Sequence, residues 1–360
     1  MSHDGEYADL QEVRLQGSVL GSGLDPSLSK AQVSVVLPVR DGASTIEAAV
    51  QSVLSQQDCV FELVVVDDGS FDDTLPRLES LARNDARLIV VKQSRDGLVE
   101  ALNRGLAVAS APLVARMDAD DLMLPGRLSI QLAAMAKNPD WAVVGSHVHL
   151  EPPTPGMQRY VDWLNGLMSP QDLSREIYID SPLCHPSVMF RKERVLSLGG
   201  YRDVGWAEDH DLWFRLHLAG EVMGVVPQTL HQWHDLPSRL TRTHPRYSFE
   251  SMMCMKAHYL SKAFGSSMRI WGAGRDGKRM ARALEGEGVE ISAFVDIDPA
   301  KIGGVRRGSV PVIGPDDLNP PQPGDPIMIV MVGVIGARDD IRQTLRTLNY
   351  VEARDFICAA

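Results

Sequence analysis

Residues 117–121 read MDADD, so three carboxylates, those of Asp118, Asp120 and Asp121, crowd one short stretch. Like charges at this spacing repel unless a counter-charge or water relieves them. The Asp118-x-Asp120 spacing suits a hard divalent cation, which takes oxygen ligands and can bridge two phosphates. A solvated acidic turn is the plain alternative, since a DxD is a frequent pattern. A second acidic pair, Asp67 and Asp68, closes the apolar run VVVDDGS. A carboxylate there can accept from a nucleobase N–H or a ribose hydroxyl. Equally, Asp68 or Ser70 could cap the segment SFDDT. A third pattern, GAGRDG, sets Gly272, Gly274 and Gly277 in GxGxxG spacing between an apolar run and a helical one. Asp296 follows about twenty residues on, as in a dinucleotide fingerprint. Such glycines admit close approach of a pyrophosphate, and they equally serve a turn kept for packing. Lys278 brings the stretch near a P-loop, but Arg279 stands where that loop needs a Mg²⁺-binding Ser or Thr.

These residues need elements to hold them. The pattern changes at Gln32, where VSVVLPV is a buried-type strand. STIEAAVQSVLSQ follows as a helix, with Ser44 and Glu47 in capping-box spacing. FELVVVDDGS is a strand, TLPRLESLARN a helix, ARLIVVKQ a strand, GLVEALNRGLAVAS a helix and PLVARMDADD a fourth strand. Strict alternation with strands apolar throughout predicts a parallel sheet covered on both faces. Ligands bind such sheets at the carboxyl ends of the strands. Arg40 and Asp41, Asp67 and Asp68, and Asp118 to Asp121 all fall there, so they should open into one cleft. The middle, about residues 140–262, is less regular. From Ser267 the strand–turn–helix MRIWGAGRDGKRMARALEGEG, the strands VEISAFVDID and IMIVMVGVI and the helix ARDDIRQTLRTLNY predict a compact second α/β unit.

Bulk properties narrow the function. The chain has 360 residues, 44% of them hydrophobic and 23% charged, an ordinary globular balance that suits two domains. The formal net charge of -11 argues against a sequence-independent grip on nucleic acid. The four cysteines form no CxxC pair, which disfavours a cysteine zinc site or a disulfide framework and fits reduced thiols. The start MSHDGEYADL is not a signal peptide, and the run at 327–335 is too short to span a bilayer. The expectation is a cytoplasmic protein, with peripheral attachment at the inner membrane face left open.

Four stretches in order, SVVLPVRDGASTIEAAVQSVLSQ, ELVVVDDGSFDDT, RDGLVEALNRGLAVASAPLVARMDADDLMLPGRL and HPSVMFRKERVLSLGGYRDVGWAEDHDLWFRL, together resemble a family 2 glycosyltransferase of the GT-A fold. The resemblance covers about residues 32–245. It implies that Pro38, Val39, Arg40, Asp67 and Asp68 hold the donor nucleotide, with Arg95, Gly97 and Asn103 lining the sugar-nucleotide pocket. Asp118 and Ala119 would lie against the ribose or sugar, Asp120 would bind Mn²⁺ or Mg²⁺, and Arg127 would support the site from behind. Asp209 would be the general base, with Glu208 orienting the acceptor. A helix N-terminus made favourable by acidic residues is the bland reading of the same stretch. In HQWHDLPSRLTRTH the family often carries a further metal or diphosphate ligand. His231, His234 and His244 are the candidates, His234 the first choice, while Arg239 and Arg242 could grip the diphosphate instead. His185 in CHPSVMF reads as a core histidine.

The resulting expectation is an α/β protein: a polar tail over residues 1–30, a GT-A nucleotide-diphospho-sugar transferase domain over 31–262, and a small Rossmann-like α/β domain over 267–360. It would move a sugar, from a UDP-sugar first of all, to a saccharide, lipid-linked, small-molecule or protein acceptor. A nucleotide in the C-terminal domain, held by Gly272, Gly274, Gly277 and Asp296, is a further expectation. The rivals are an NAD(P)-dependent sugar-modifying oxidoreductase resting on GAGRDG and a non-catalytic nucleotide-sugar-binding protein.

Overall fold

The computed structural model describes residues 31–237 and 239–360; the expected N-terminal tail lies outside the described residues. Packing divides the chain into two compact units. The first comprises residues 31–170, 183–203 and 215–237. The second comprises residues 171–182, 204–214 and 239–360.

The first unit is built on an eight-stranded sheet. It holds β1 (Val33–Val39), β2 (Phe61–Asp68), β3 (Leu88–Gln93), β4 (Leu113–Arg116), β5 (Leu122–Met123), β6 (Trp141–Glu151), β7 (Met189–Arg191) and β8 (Val222–His234) in the order β3-β2-β1-β4-β7-β6-β8-β5. Helices α1 (Ile46–Leu54), α2 (Thr74–Asn84), α3 (Leu98–Val108), α4 (Arg127–Lys137) and α5 (Pro155–Asn165) connect or cover it. Every residue of β1 is buried, as the unbroken apolar run requires for a strand covered on both faces. Strands β1 to β4 are parallel, with β1 between β2 and β4. The chain steps outward from β1 to β3 and then returns to β1's other side. That reversal is a topological switch point, where open α/β sheets bind ligands.

Three expectations change. The sheet is mixed, because β7 runs antiparallel to β4 and β6, and β5 antiparallel to β8. Strand β7 comes from the irregular middle, and β5 is two residues long, too short to show a period of two. The fourth strand also stops at Arg116, so the MDADD carboxylates lie in the loop beyond it. The capping box is likewise absent: Thr45 occupies the N-cap of α1 and makes no side-chain cap. The loop before α1 is instead pinned from α2's start, with Gly42 N–H donating to Thr74 Oγ1 (2.8 Å) and Ala43 N–H to Asp72 Oδ2 (3.0 Å).

The second unit carries a six-stranded sheet of β9 (Ser267–Trp271), β10 (Glu290–Val295), β11 (Val305–Arg306), β12 (Val310–Ile313), β13 (Ile327–Val330) and β14 (Phe356–Cys358), ordered β11-β12-β10-β9-β13-β14. All its pairs are parallel except β11–β12. The helices are α6 (Pro170–Glu176), the N-terminal turns of α7 (Glu208–Leu218), α8 (Phe249–Phe264), α9 (Arg275–Gly286) and α10 (Ala337–Thr347). The packing does not follow a single cut near residue 265. Lys256 of α8 donates to the carbonyls of Ile179 (2.7 Å) and Ala359 (2.9 Å), joining three distant segments around one buried ammonium. Burial pushes that ammonium down to about 8, because the charged form is poorly solvated there.

Candidate functional site

The carboxyl edge of β1, β2 and β4 gathers most of the polar residues singled out from the sequence. Asp67 and Asp68 end β2 side by side and differ sharply. Asp68 is saturated: Oδ1 accepts from Gln93 Nε2 (2.8 Å) and from the Asp96 and Gly97 amides (2.8 and 3.1 Å). Its Oδ2 faces Arg40 Nη1 at 3.3 Å. It therefore fastens the loop before α3. Asp67 is 2% exposed, and its Oδ2 has only the Ser70 amide at 3.4 Å. Asp67 Oδ1 is buried with no hydrogen-bond partner. An unmatched buried carboxylate oxygen is costly and leaves room for a donor from a ligand or water.

Pro38 and Val39 complete buried β1, and Val39 lies in register with Asp67. Arg95 braces the neighbouring loop. It pairs with Asp41, donates from Nε to Gly69 O (2.9 Å) and lies 3.9 Å from the centroid of the exposed Phe71 ring. Asn103, half-buried, is committed to a turn. Its amide donates to Tyr201 O and accepts from Tyr201 N–H, each at 2.9 Å, so its side chain fixes the Gly199–Gly200–Tyr201 turn. Spacing along α3 gives a face but not the partner that meets it. His185 is buried with Nε2 2.8 Å from Tyr201 Oη. Burial, assisted by Arg116, keeps it neutral.

The MDADD loop brings carboxylate oxygens of Asp118, Asp120 and Asp121 within 4.8 Å of one another. Asp118 and Asp120 are half-exposed and Ala119 lies between them, while Asp121 is buried. Asp118 is paired with the buried Arg116, Oδ1 to Nη1 at 2.5 Å. The end of β8 closes over this loop. His234 Nδ1 is 2.5 Å from Asp120 O, and its backbone N–H donates to Asp121 Oδ1 at 2.8 Å. A histidine that donates one ring N–H to a carbonyl presents its other nitrogen as a lone pair, as metal-ligating histidines do. That nitrogen lies 3.1 Å from Gln232 Nε2. His231, a second histidine candidate, is fully buried and faces Asp121 instead. The alternation along β8 set this apart: residues three apart on a strand point to opposite faces. The carboxylate oxygens suit a hard divalent cation, to which an imidazole could add one nitrogen.

In the second unit, α7 begins with Glu208, Asp209 and Asp211, and the structure separates their roles. Glu208 is 2% exposed, accepts from Tyr247 Oη at 2.7 Å and has Arg246 Nη1 at 3.5 Å. Asp211 is fully buried, and Oδ1 accepts from Trp206 Nε1 (3.1 Å) and Tyr259 Oη (2.6 Å). Asp209 alone is half-exposed, with Oδ1 taking the His210 amide at 2.8 Å. Tyr247 and Arg246 carried no signal in the sequence, since the exposed-looking stretch around them has no period.

The glycine turn after β9 is tight. A Cβ on Gly277 would lie 1.8 Å from Gly272 O, and Gly272 holds φ at +114°. Only glycine meets both demands. Asp296 is occupied: it accepts from the Ala273 amide (2.8 Å) and pairs with Lys301 Nζ (3.1 Å). These contacts account for Gly272, Gly277 and Asp296 by packing; Gly274 faces open space.

Residues 34–198 match the family model described as glycosyl transferase family 2. An amylovoran biosynthesis glycosyltransferase of Erwinia amylovora, AmsE, is 30% identical over 200 residues, covering 55% of this chain and 73% of that one. The chain belongs to glycosyltransferase family 2. The putative glycosyltransferase EpsE of Bacillus subtilis is 29% identical over 204 residues, covering 53% of this family 2 enzyme and 69% of its own length. In fold, the enzyme is similar to S. aureus TarS, crystallised in complex with UDP-GlcNAc. That likeness has a TM-score of 0.53 at 19% identity, over 70% of this chain and 71% of that one. The mixed α/β sheet is consistent with a GT-A domain. Among the described residues no helix is long and apolar enough to cross a membrane.

Proposed function

We propose that this family 2 enzyme transfers a sugar from a nucleoside-diphosphate sugar to an acceptor hydroxyl with inversion at the anomeric carbon, and that the transfer depends on Mn²⁺ or Mg²⁺. The observation that carries the donor site is the orphaned, buried Asp67 Oδ1 at the switch point of a parallel sheet. Asp67 accepts from the nucleobase or ribose. Arg40 pairs with the neighbouring Asp68 and Arg95 with Asp41 at the same sheet edge, and Asp68 fixes the loop before α3. The UDP-GlcNAc bound to TarS favours a UDP-sugar, and the amylovoran role of AmsE favours a growing saccharide as acceptor.

Asp120 and His234 would hold the cation, with Asp118 turned to the ribose or sugar. Bound there, the cation neutralises the charge that builds on the departing diphosphate. Asp209 takes the proton of the acceptor hydroxyl. That oxygen bonds to the anomeric carbon as the bond from that carbon to the diphosphate breaks, and the nucleoside diphosphate leaves. The half-exposure of Asp209, beside two buried and committed carboxylates, supports its choice as base. The second unit's strand order and glycine turn support a Rossmann-like module, with the turn serving packing. That weakens the oxidoreductase alternative.

A thermal-shift screen over UDP-, GDP- and dTDP-sugars, with and without Mn²⁺, tests the reading, since a ligand bound only by the native state raises stability. A metal-dependent rise with one nucleotide class is expected. No rise with any of them would sink the proposal.

A further inference from the structure

His231 and Asp121 form a buried chain behind the acidic loop. Arg127 is 0% exposed, and its Nη1 lies 3.2 Å from His231 Nδ1. A guanidinium has no acceptor, so His231 Nδ1 must carry the lone pair and the ring proton must sit on Nε2. Nε2 then donates to Asp121 Oδ2 at 2.9 Å. The other oxygen, Oδ1, takes the His234 amide at 2.8 Å. Arg127 Nη2 also donates to Arg116 O (2.8 Å) and Val188 O (3.2 Å). Three segments thus meet on one directional chain: the end of β4, the MDADD loop and the end of β8. Both oxygens of Asp121 are engaged, and the residue is 1% exposed.

We infer that Asp121 is not a cation ligand, and that His231 is a positioning residue acting through it. Their hydrogen bond holds Asp120 and His234 at the mutual geometry a divalent cation needs. This rests on the metal-dependent reading above. Partners that orient metal ligands from behind typically contribute about 10- to 100-fold in metal affinity or activity.

The test is a direct titration of Mn²⁺, read by electron paramagnetic resonance, into the full chain with UDP present. His231→Leu removes the donor to Asp121 and is expected to weaken Mn²⁺ binding about 10- to 100-fold. His231→Gln replaces Nε2–H with an amide that can still donate to Asp121, so it should restore most of that affinity. Asp121→Asn, close in shape, should match His231→Leu while its melting curve stays cooperative, which keeps the test open if the leucine variant does not fold. If Asp121→Asn loses Mn²⁺ while both His231 variants bind as the wild type does, Asp121 is a ligand and the inference is wrong. Equal losses in His231→Leu and His231→Gln, tracking a fall in melting temperature, would show a packing role and also overturn it. A wild-type chain that binds no Mn²⁺ would remove the metal reading and this inference together.

Discussion

Asp67 and Asp68 are neighbours of the same type, yet one is a structural fastening and the other is left with a bare oxygen. Removing Asp68 strands the Asp96 and Gly97 amides and the Gln93 amide. Asp68→Ala should therefore cost about 1–3 kcal/mol in chemical denaturation. Asp67→Ala should leave stability unchanged or raise it, because a buried oxygen without a partner goes with it. Its affinity for the nucleotide diphosphate should drop about tenfold or more, which is about 1.4 kcal/mol per decade by calorimetry. At the base, Asp209→Asn should lower kcat by about 10²- to 10⁴-fold with nucleotide binding intact. Full activity in that variant would refute the assignment.

At the scale of the element, the N-terminus of α7 gathers three carboxylates whose environments pull them apart. Tyr247 is held in its phenol form by burial and by the carboxylates of Glu208 and Asp209, which raise its pKa well above the usual value. It is therefore a permanent donor to Glu208. Tyr247→Phe should cost about 1–3 kcal/mol by leaving a buried carboxylate short of a donor. If Glu208 anchors the first turn that presents Asp209, kcat should fall more than KM rises.

The turn before α9 makes a second prediction. Burial raises the Asp296 carboxyl, but the Asp298 and Ala273 amides and Lys301 outweigh it and hold it below its usual 3.8. A depressed carboxyl stabilises the fold above its unfolded pKa, and this contribution is lost as pH falls through the folded value. Lys301 is one-third exposed, so Lys301→Met should cost at most about 1 kcal/mol at neutral pH. The difference from wild type should vanish in melts run in acid, once Asp296 is protonated.

Across the molecule, the family match ends at residue 198 but the sheet does not. Strand β8, residues 222–234, lies between β6 and β5 and carries both His231 and His234. A chain truncated after residue 198 would leave one side of β6 without its ladder and Asp121 without its His231 and His234 contacts. It should show no cooperative melt in circular dichroism, whereas the full chain should. A cooperative melt with nucleotide binding in the shorter chain would show that β8 is dispensable.

The sequence by itself determined the elements whose signal is local. The apolar runs of β1 and β2 and the helical spacings of α2 and α3 are written in consecutive residues, because burial on both strand faces or one helix face leaves a period. It also placed Asp67 at the end of one strand and Asp118 and Asp120 just beyond another, since residues that close an apolar run emerge at the sheet's carboxyl edge. Only the tertiary structure decided which of each neighbouring pair was committed elsewhere. Asp68, Asn103, Glu208 and Asp121 are engaged by partners 28, 98, 39 and 110 residues away. Contacts at such separations leave no period in the chain. The antiparallel β5 and β7 escaped for the same reason: two or three residues make a strand only when another strand is already there to pair with them.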